Sequence, residues 1–392
     1  MLRIVADANI PAADRAFGAL GEVRMLSGRE ITPATVRDAD VLLVRSVTPV
    51  DGALLDGSAV RFVGSATAGT DHVDRTALAE RGVAFAHAPG SNAESVVEWV
   101  LAALLATAAD RGEPLAGKAL GVVGVGAVGG RLVPRAEALG MRVLVSDPPR
   151  EAAGTLPNAL PLADLLRQSD VVTLHTPLTA PAESAWPTLG LLDAAALARL
   201  PAGAWVVNAS RGPVVDGDAL GDALDAGTVG EALLDVWPGE PAPSPRLAAR
   251  ARVATPHVAG YSLDGKLAGT RRIADALRQW LADRGEAPAP WDVEDALPTG
   301  ALTVTAPPAG GGSRAAWLDA LARQAYDVRA DTARFRAAIP WDGSAEERAS
   351  AFARLRKTYP ARRAWSRFAV RGDVPRELAA AVGDGLAMRA SA

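Results

Sequence analysis

Leu120-Gly-Val-Val-Gly-Val-Gly-Ala-Val-Gly129 decides how the rest of this sequence is read. A β-branched run, Leu120–Val123, enters a turn spaced Gly124-x-Gly126-x-x-Gly129, and a helical pattern follows over about 127–139. Gly124 permits the tight turn, Gly126 lets a pyrophosphate approach the backbone, and Gly129 lets the helix pack closely on the sheet. The helix N-terminus offers amide donors to phosphates. Such turns are common, so the next acid matters. Asp147 ends the following strand, 18 residues after Gly129, where a carboxylate accepts the ribose hydroxyls of adenosine. The expectation is a dinucleotide fold that binds NAD. A 2′-phosphate would meet the Asp147 charge, although Arg150 three residues on leaves NADP open.

Outward from this turn, short apolar runs alternate with helical patterns. Arg142–Ser146, Val171–Leu174, Trp205–Asn208, Ala232–Asp235 and Val253–Thr255 read as strands, with helices near 162–168, 193–199 and 216–226. Upstream, Leu2–Val5, Val41–Val44, Val60–Val63 and Val83–Ala86 read as strands buried on both faces. Ala93–Ala109 is a long helix, started by Ser91 or Asn92 with Glu94 in its first turn, and so apolar that burial between two domains is expected. Leu263–Arg284 reads as a second long helix. Pro-rich Glu286–Gly300 reads as a linker, followed by a strand at Ala301–Ala306, a flexible PPAGGG and a helix near Arg314–Tyr326. The expected fold is α/β: two doubly wound Rossmann-like domains plus a small C-terminal α+β domain. The boundaries expected are 1–92 with 257–285, 93–256 for the dinucleotide, and 286–392.

Composition narrows the chemistry. The 392 residues are 49% apolar and contain no Cys, which excludes disulfides, thiolate metal sites and a cysteine nucleophile. His72, His87, His175 and His257 are the only imidazoles, and with the scattered acids they show no ligand spacing, so no metal is expected. The net charge of −4 is uneven. Residues 301–392 carry 15 basic and 9 acidic residues, against 26 and 36 in 1–300. Acids interspersed through the basic end argue against nucleic-acid binding. The N-terminus lacks a signal-peptide pattern, and the apolar stretch Val96–Ala109 falls short of the roughly 20 residues a membrane helix needs. A cytoplasmic protein without membrane contact is expected.

Three strand ends carry reactive groups. His257 follows a strand in TPHVAG, at the edge where open α/β sheets bind ligands. Glu240, in VWPGEP, follows the preceding strand; a carboxylate beside an imidazole fixes its tautomer and stabilises its protonated form. Arg211, in NASRGP, ends another strand, and its forked donors match a substrate carboxylate. An NAD-sensing binding protein would keep the glycine turn without needing these three. His72 reads as a structural loop residue, and His175 as a structural neighbour of the cofactor site.

These segments, together with His175-Thr-Pro-Leu178, resemble the D-isomer-specific 2-hydroxyacid dehydrogenase family. Within it, RSVT (45–48), GSATAGTDHVD (64–74), PGSNAESVVEWV, SDPPR, HVAGYSLDGKLAGT and YDVRADTARFR resemble one branch whose substrate is a phosphorylated 2-hydroxy acid. The resemblance implies Arg211, Glu240 and His257 as the catalytic trio. It implies cofactor contacts at Gly124, Gly126, Gly129, Asp147, Thr176, Ala209, Ser210, Arg211, Asp235 and Gly260, with Asp235 near the nicotinamide amide. Ser46, Thr67 and Tyr261 are implied as substrate contacts, and a homodimer formed through residues 286–392. Ser91 and Ser210 stand where Cys is common in close relatives. The substrate phosphate needs cations, for which Arg45 and the Arg362–Arg363 pair are candidates; an ion-pairing face is as plausible for the pair. The trio alone does not separate this branch from 3-phosphoglycerate dehydrogenase or another D-2-hydroxyacid dehydrogenase.

Overall fold

The structure, a computed structural model, describes residues 1–286, 302–308, 312–360 and 362–390. The expected linker beyond Glu286, and part of the PPAGGG turn, lie outside the described residues. Two compact units are present: Met1–Glu94 with Tyr261–Gly300, and Ser95–Gly260 with Ala301–Ala392.

The first unit holds β1 (Leu2–Asp7), β2 (Gly21–Leu26), β3 (Val41–Val44), β4 (Phe62–Ser65) and β5 (Ala84–His87) in one parallel sheet, ordered β2-β1-β3-β4-β5. β3 and β4 are wholly buried, which is why they read as continuous apolar runs. β2 gave no such signal. It is an edge strand with Glu22 and Arg24 along it, and most of its residues meet solvent. The helix Leu263–Ala282, capped by the Ser262 hydroxyl, sends Ile273, Ala274, Leu277 and Leu281 into the core with Ile4, Phe17 and Phe62.

The second unit holds β6 (Ala119–Val123), β7 (Arg142–Ser146), β8 (Val171–Leu174), β9 (Ala204–Asn208), β10 (Val229–Leu234) and β11 (Val253–Ala254), all parallel and ordered β11-β10-β9-β8-β6-β7. The strand order reverses at β6, with β7 on one side and β8 on the other. The crevice beyond the carboxyl ends of such a reversal is where ligands bind. The glycine turn leaves β6 at this point.

A second, three-stranded parallel sheet of the same unit joins β12 (Leu302–Thr305), β13 (Phe368–Arg371) and β14 (Arg389–Ala390). The helices Arg314–Ala325, Val328–Ala338 and Ala345–Lys357 lie between β12 and β13 in sequence. Only the first strand and first helix of this segment were legible in advance, because β13 and β14 are short and pair only after the three helices have passed. The helix Ala93–Arg111 is as buried as its sequence implies. From Val96 onward it shares one core with Leu120, Trp205, Trp317, Leu321 and Trp365, so the C-terminal segment of its own unit covers it.

Candidate active site

Each glycine of the turn meets a different constraint. Gly124 has φ +86°, and a Cβ there would lie 2.7 Å from the His175 carbonyl oxygen. A Cβ on Gly129 would lie 2.0 Å from the Gly124 carbonyl oxygen, so any side chain would push the helix off the turn. A Cβ on Gly126 would meet nothing within 4 Å. That open face leaves the backbone free for a phosphate to approach.

The acid expected at the ribose is anchored to the same turn. Asp147 Oδ2 accepts the Val125 N–H at 2.8 Å, and Oδ1 accepts the Arg150 N–H at 3.1 Å, capping the helix Pro148–Ala152. Arg150 folds back onto the loop, donating to the carbonyls of Val125 (2.7 Å) and Thr155 (3.1 Å). Its donors are thus engaged rather than held out for a 2′-phosphate. The Thr176 hydroxyl oxygen and His175 Nδ1 are shielded from solvent and have no hydrogen-bond partner among the described residues. Burial drives the His175 pKa down to about 3, so the ring stays neutral, with Nε2 2.9 Å from Thr173 Oγ1. An open glycine face, an acid at the next strand end and an unsatisfied hydroxyl beside the turn fit a dinucleotide such as NAD.

The catalytic candidates sit on neighbouring strand ends of this sheet. His257 Nδ1 lies 2.8 Å from Glu240 Oε1. Burial pushes the Glu240 carboxyl up, but the His257 hydrogen bond and charge, the Arg356 charge and the Trp237 N–H outweigh it, leaving the pKa below the ordinary carboxylate value. An ionised carboxylate can only accept, so Nδ1 carries a proton, and whenever the ring is neutral Nε2 presents its lone pair. His257 has φ +56°, a left-handed conformation that costs a non-glycine residue on the order of 1 kcal/mol.

Contacts around the loop hold it there. Asp235, 1% exposed, accepts from Thr255 Oγ1 (2.6 Å) and from the N–H groups of Val258 (2.8 Å) and Ala259 (2.9 Å). Its main-chain carbonyl accepts the His257 N–H at 2.7 Å. The Trp99 indole donates to Thr255 Oγ1, and the Trp237 indole to the Thr255 carbonyl. Neither tryptophan was legible as more than core.

Arg211 leaves β9 in an extended conformation and donates from Nη1 to the Ser210 carbonyl at 2.9 Å. Asn208 shapes this turn, taking the Ser210 N–H (3.0 Å) and hydroxyl (2.8 Å) on Oδ1 and donating to the Arg211 carbonyl. The amide of Ser210, one of the implied cofactor contacts, is therefore used inside the loop. Gly212 went unnoticed in the sequence. A Cβ there would fall 2.0 Å from the Trp237 carbonyl oxygen, so the Arg211 and Glu240 loops back directly onto each other. A glycine wedged between an arginine and a proline was the available clue.

In the first unit, Thr67 donates to the Gly69 carbonyl and sits 2.8 Å from Ser65 Oγ, which is 3.0 Å from His72 Nε2. His72 holds this loop. Ser46 follows β3 and is exposed. The ring of Tyr261 lies 4.6 Å from Lys266 Nζ, and burial together with the Arg45 charge lowers the Lys266 pKa to about 8. Arg362 does not reach out toward a phosphate. It is 8% exposed, with Nη2 on the carbonyls of Ser95 (2.8 Å) and Ala259 and its guanidinium over the Tyr326 ring. Among the described residues, no group of three or more His, Asp or Glu could hold a metal ion, and no helix is long and apolar enough to cross a membrane.

The family described as D-isomer specific 2-hydroxyacid dehydrogenase, NAD binding domain, matches residues 92–259, and a domain of unknown function matches 309–384. The chain is 50% identical over 396 aligned positions to erythronate-4-phosphate dehydrogenase of Salinibacter ruber, covering 99% of both chains. It is 48% identical to the Azotobacter vinelandii protein of the same name, covering 96% of this chain and 97% of that one. The chain belongs to the erythronate-4-phosphate dehydrogenase family. Its fold is also that of NAD-bound 3-phosphoglycerate dehydrogenase from Entamoeba histolytica, with TM-score 0.62 and 24% identity over 72% of this chain and 96% of that one. The enzymes of this family are NAD-dependent oxidoreductases, and the glycine turn, Asp147 and Thr176 are the features through which this chain fits that cofactor.

Proposed function

We propose that this protein oxidises C2 of 4-phospho-D-erythronate with NAD, giving 2-oxo-3-hydroxy-4-phosphobutanoate, NADH and a proton, as a step of pyridoxal 5′-phosphate biosynthesis. The observation that carries the reading is the 2.8 Å His257–Glu240 pair at the end of a dinucleotide-binding sheet, in a chain 50% identical to a named enzyme of that activity.

Bound NAD supplies the hydride acceptor. His257 Nε2 takes the proton of the C2 hydroxyl as the hydride leaves C2, and Glu240 stabilises the imidazolium that results. Arg211 holds the C1 carboxylate and offsets charge developing on the C2 oxygen. Gly124, Gly126 and Gly129 admit the pyrophosphate, and Asp147 takes the ribose hydroxyls. Thr176, Ala209, Ser210, Asp235 and Gly260 line the cofactor. Ser46, Thr67 and Tyr261 contact the substrate. Arg45 and Lys266 supply the charge for its phosphate: no ion pair engages either side chain among the described residues, and each feels the other's charge. The protein works in the cytoplasm as a homodimer, with residues 286–392 as the dimerisation module.

Purified protein with NAD should give NADH absorbance with 4-phospho-D-erythronate at a kcat/KM at least tenfold above that with 3-phosphoglycerate or unphosphorylated D-erythronate. Preference for 3-phosphoglycerate, or no turnover of any of the three, would overturn the assignment.

A further inference from the structure

Ala259 lies two residues beyond His257, and its peptide groups are gripped from two directions. Its N–H donates to Asp235 Oδ2 at 2.9 Å, and its carbonyl accepts from Arg362 Nη2. Asp235 belongs to the dinucleotide-binding part of the unit. Arg362 comes from the segment matched by the domain of unknown function.

The arginine is itself fixed. The same Nη2 donates to the Ser95 carbonyl at 2.8 Å, and the guanidinium lies 4.1 Å from the Tyr326 ring centroid. Three residues on, the Trp365 N–H donates to Glu98 Oε1 at 2.6 Å, so the 362–365 stretch is tied twice to the helix Ala93–Arg111. Tyr326 and Tyr359 both donate to Asp331 Oδ2, at 2.9 and 2.6 Å, placing a buried hydroxyl–carboxylate group beside the guanidinium. A second attachment reaches the strand before the catalytic loop: the Ala254 N–H of β11 donates to Thr332 Oγ1 at 3.2 Å. Burying an always-charged guanidinium is costly unless strong acceptors repay it, and here the acceptors include the carbonyl of the catalytic loop.

We infer that Arg362 is a positioning residue for His257, and that the C-terminal segment sets the aim of the proton-transfer ring by holding the Ala259 carbonyl against the pull of Asp235 on the Ala259 amide. His257 keeps its left-handed backbone because both sides of its loop are pinned. Without Arg362 the loop relaxes and the ring leaves its line with Glu240. A misplacement of about 1 Å at a reacting group can cost on the order of 100-fold in rate.

The inference rests on the dehydrogenase reading, and its test separates the two. In the full-length protein, Arg362→Met should lower kcat by roughly 10- to 100-fold while KM and the NADH dissociation constant, read by fluorescence, change less than about threefold. Arg362→Lys, which restores a cationic donor, should recover most of the rate. The protein has four histidines, and in ¹⁵N spectra of the ring nitrogens only the His257 resonances should move in Arg362→Met. Unchanged kcat and an unmoved His257 signal in both variants would overturn the proposal. So would simultaneous shifts of all four histidines with a rate that merely follows the folded fraction. If Arg362→Met fails to fold, Arg362→Gln, which keeps a polar side chain but removes the cation, takes its place, and its His257 signal must move alone. A wild-type protein that does not oxidise the substrate would instead defeat the proposed function, and the His257 signal would still report on the positioning.

Discussion

The two units carry sheets of nearly the same topology, β2-β1-β3-β4-β5 in one and β7-β6-β8-β9-β10-β11 in the other, yet the turn after the first strand differs completely. After β6 come three glycines, an open face at Gly126 and an acid held back on the next strand. After β1 the chain places Asp7 itself at the turn, 0% exposed, with Oδ1 accepting the Asn9 N–H at 2.8 Å and Asn9 Nδ2 at 3.1 Å. A buried carboxylate stands where the other unit leaves room for phosphate. Strand order therefore makes a crevice, and the residues at the turn decide what enters it.

The same contrast holds at the later strand ends. In the second unit His257 is held by Glu240 and by the Asp235 carbonyl, Glu240 by the Trp237 N–H, and Arg211 by Asn208, as the proposed proton transfer requires. In the first unit Ser46 is exposed, and among the described residues no ion pair engages Arg45 or Lys266, which leaves both cations open to the phosphate proposed for them.

Breaking the reactive half should have the largest effect. His257→Ala should reduce kcat by at least about a thousandfold while NADH binding, followed by fluorescence, stays near wild type. Retained turnover would move the proton-transfer role elsewhere. Making the two turns alike is the next most severe change. Gly126→Asp adds a carboxylate where a Cβ meets nothing, so thermal stability should hold while the NAD dissociation constant rises on the order of 100-fold. A variant binding NAD normally would show that the open face is not the phosphate path.

The smallest effect tests the holding half. Lys266 is charged below its pKa of about 8, and a phosphomonoester is a dianion above about pH 6. KM for the phosphorylated substrate should be lowest between these values and rise as the pH passes 8 and the lysine loses its proton. In Lys266→Met that rise should vanish, with KM raised about tenfold throughout. An identical pH dependence in wild type and variant would remove Lys266 from the phosphate site.

Much of this was legible because it is local. Gly124, Gly126 and Gly129 answer to backbone conformation and close approach within one turn, and strands such as β3 and β9 are buried on both faces, so each announces itself in its own few residues. The edge strand β2 did not, since exposure lets it carry Glu22 and Arg24. Nor did Trp99, whose indole bonds a hydroxyl 156 residues away, or Gly212, which is required by a carbonyl on another loop.

The sequence by itself determined the sheet types, the glycine turn after β6 and the placement of Arg211, Glu240 and His257 after successive strands, because strand–turn–helix chemistry repeats wherever the spacing does. The tertiary structure alone decided where Arg362 goes. From sequence it was an arginine in a basic segment, free to meet a phosphate or solvent. Folding buried it against Tyr326 and the Ala259 carbonyl, and a charge taken out of water goes where acceptors from distant parts of the chain converge.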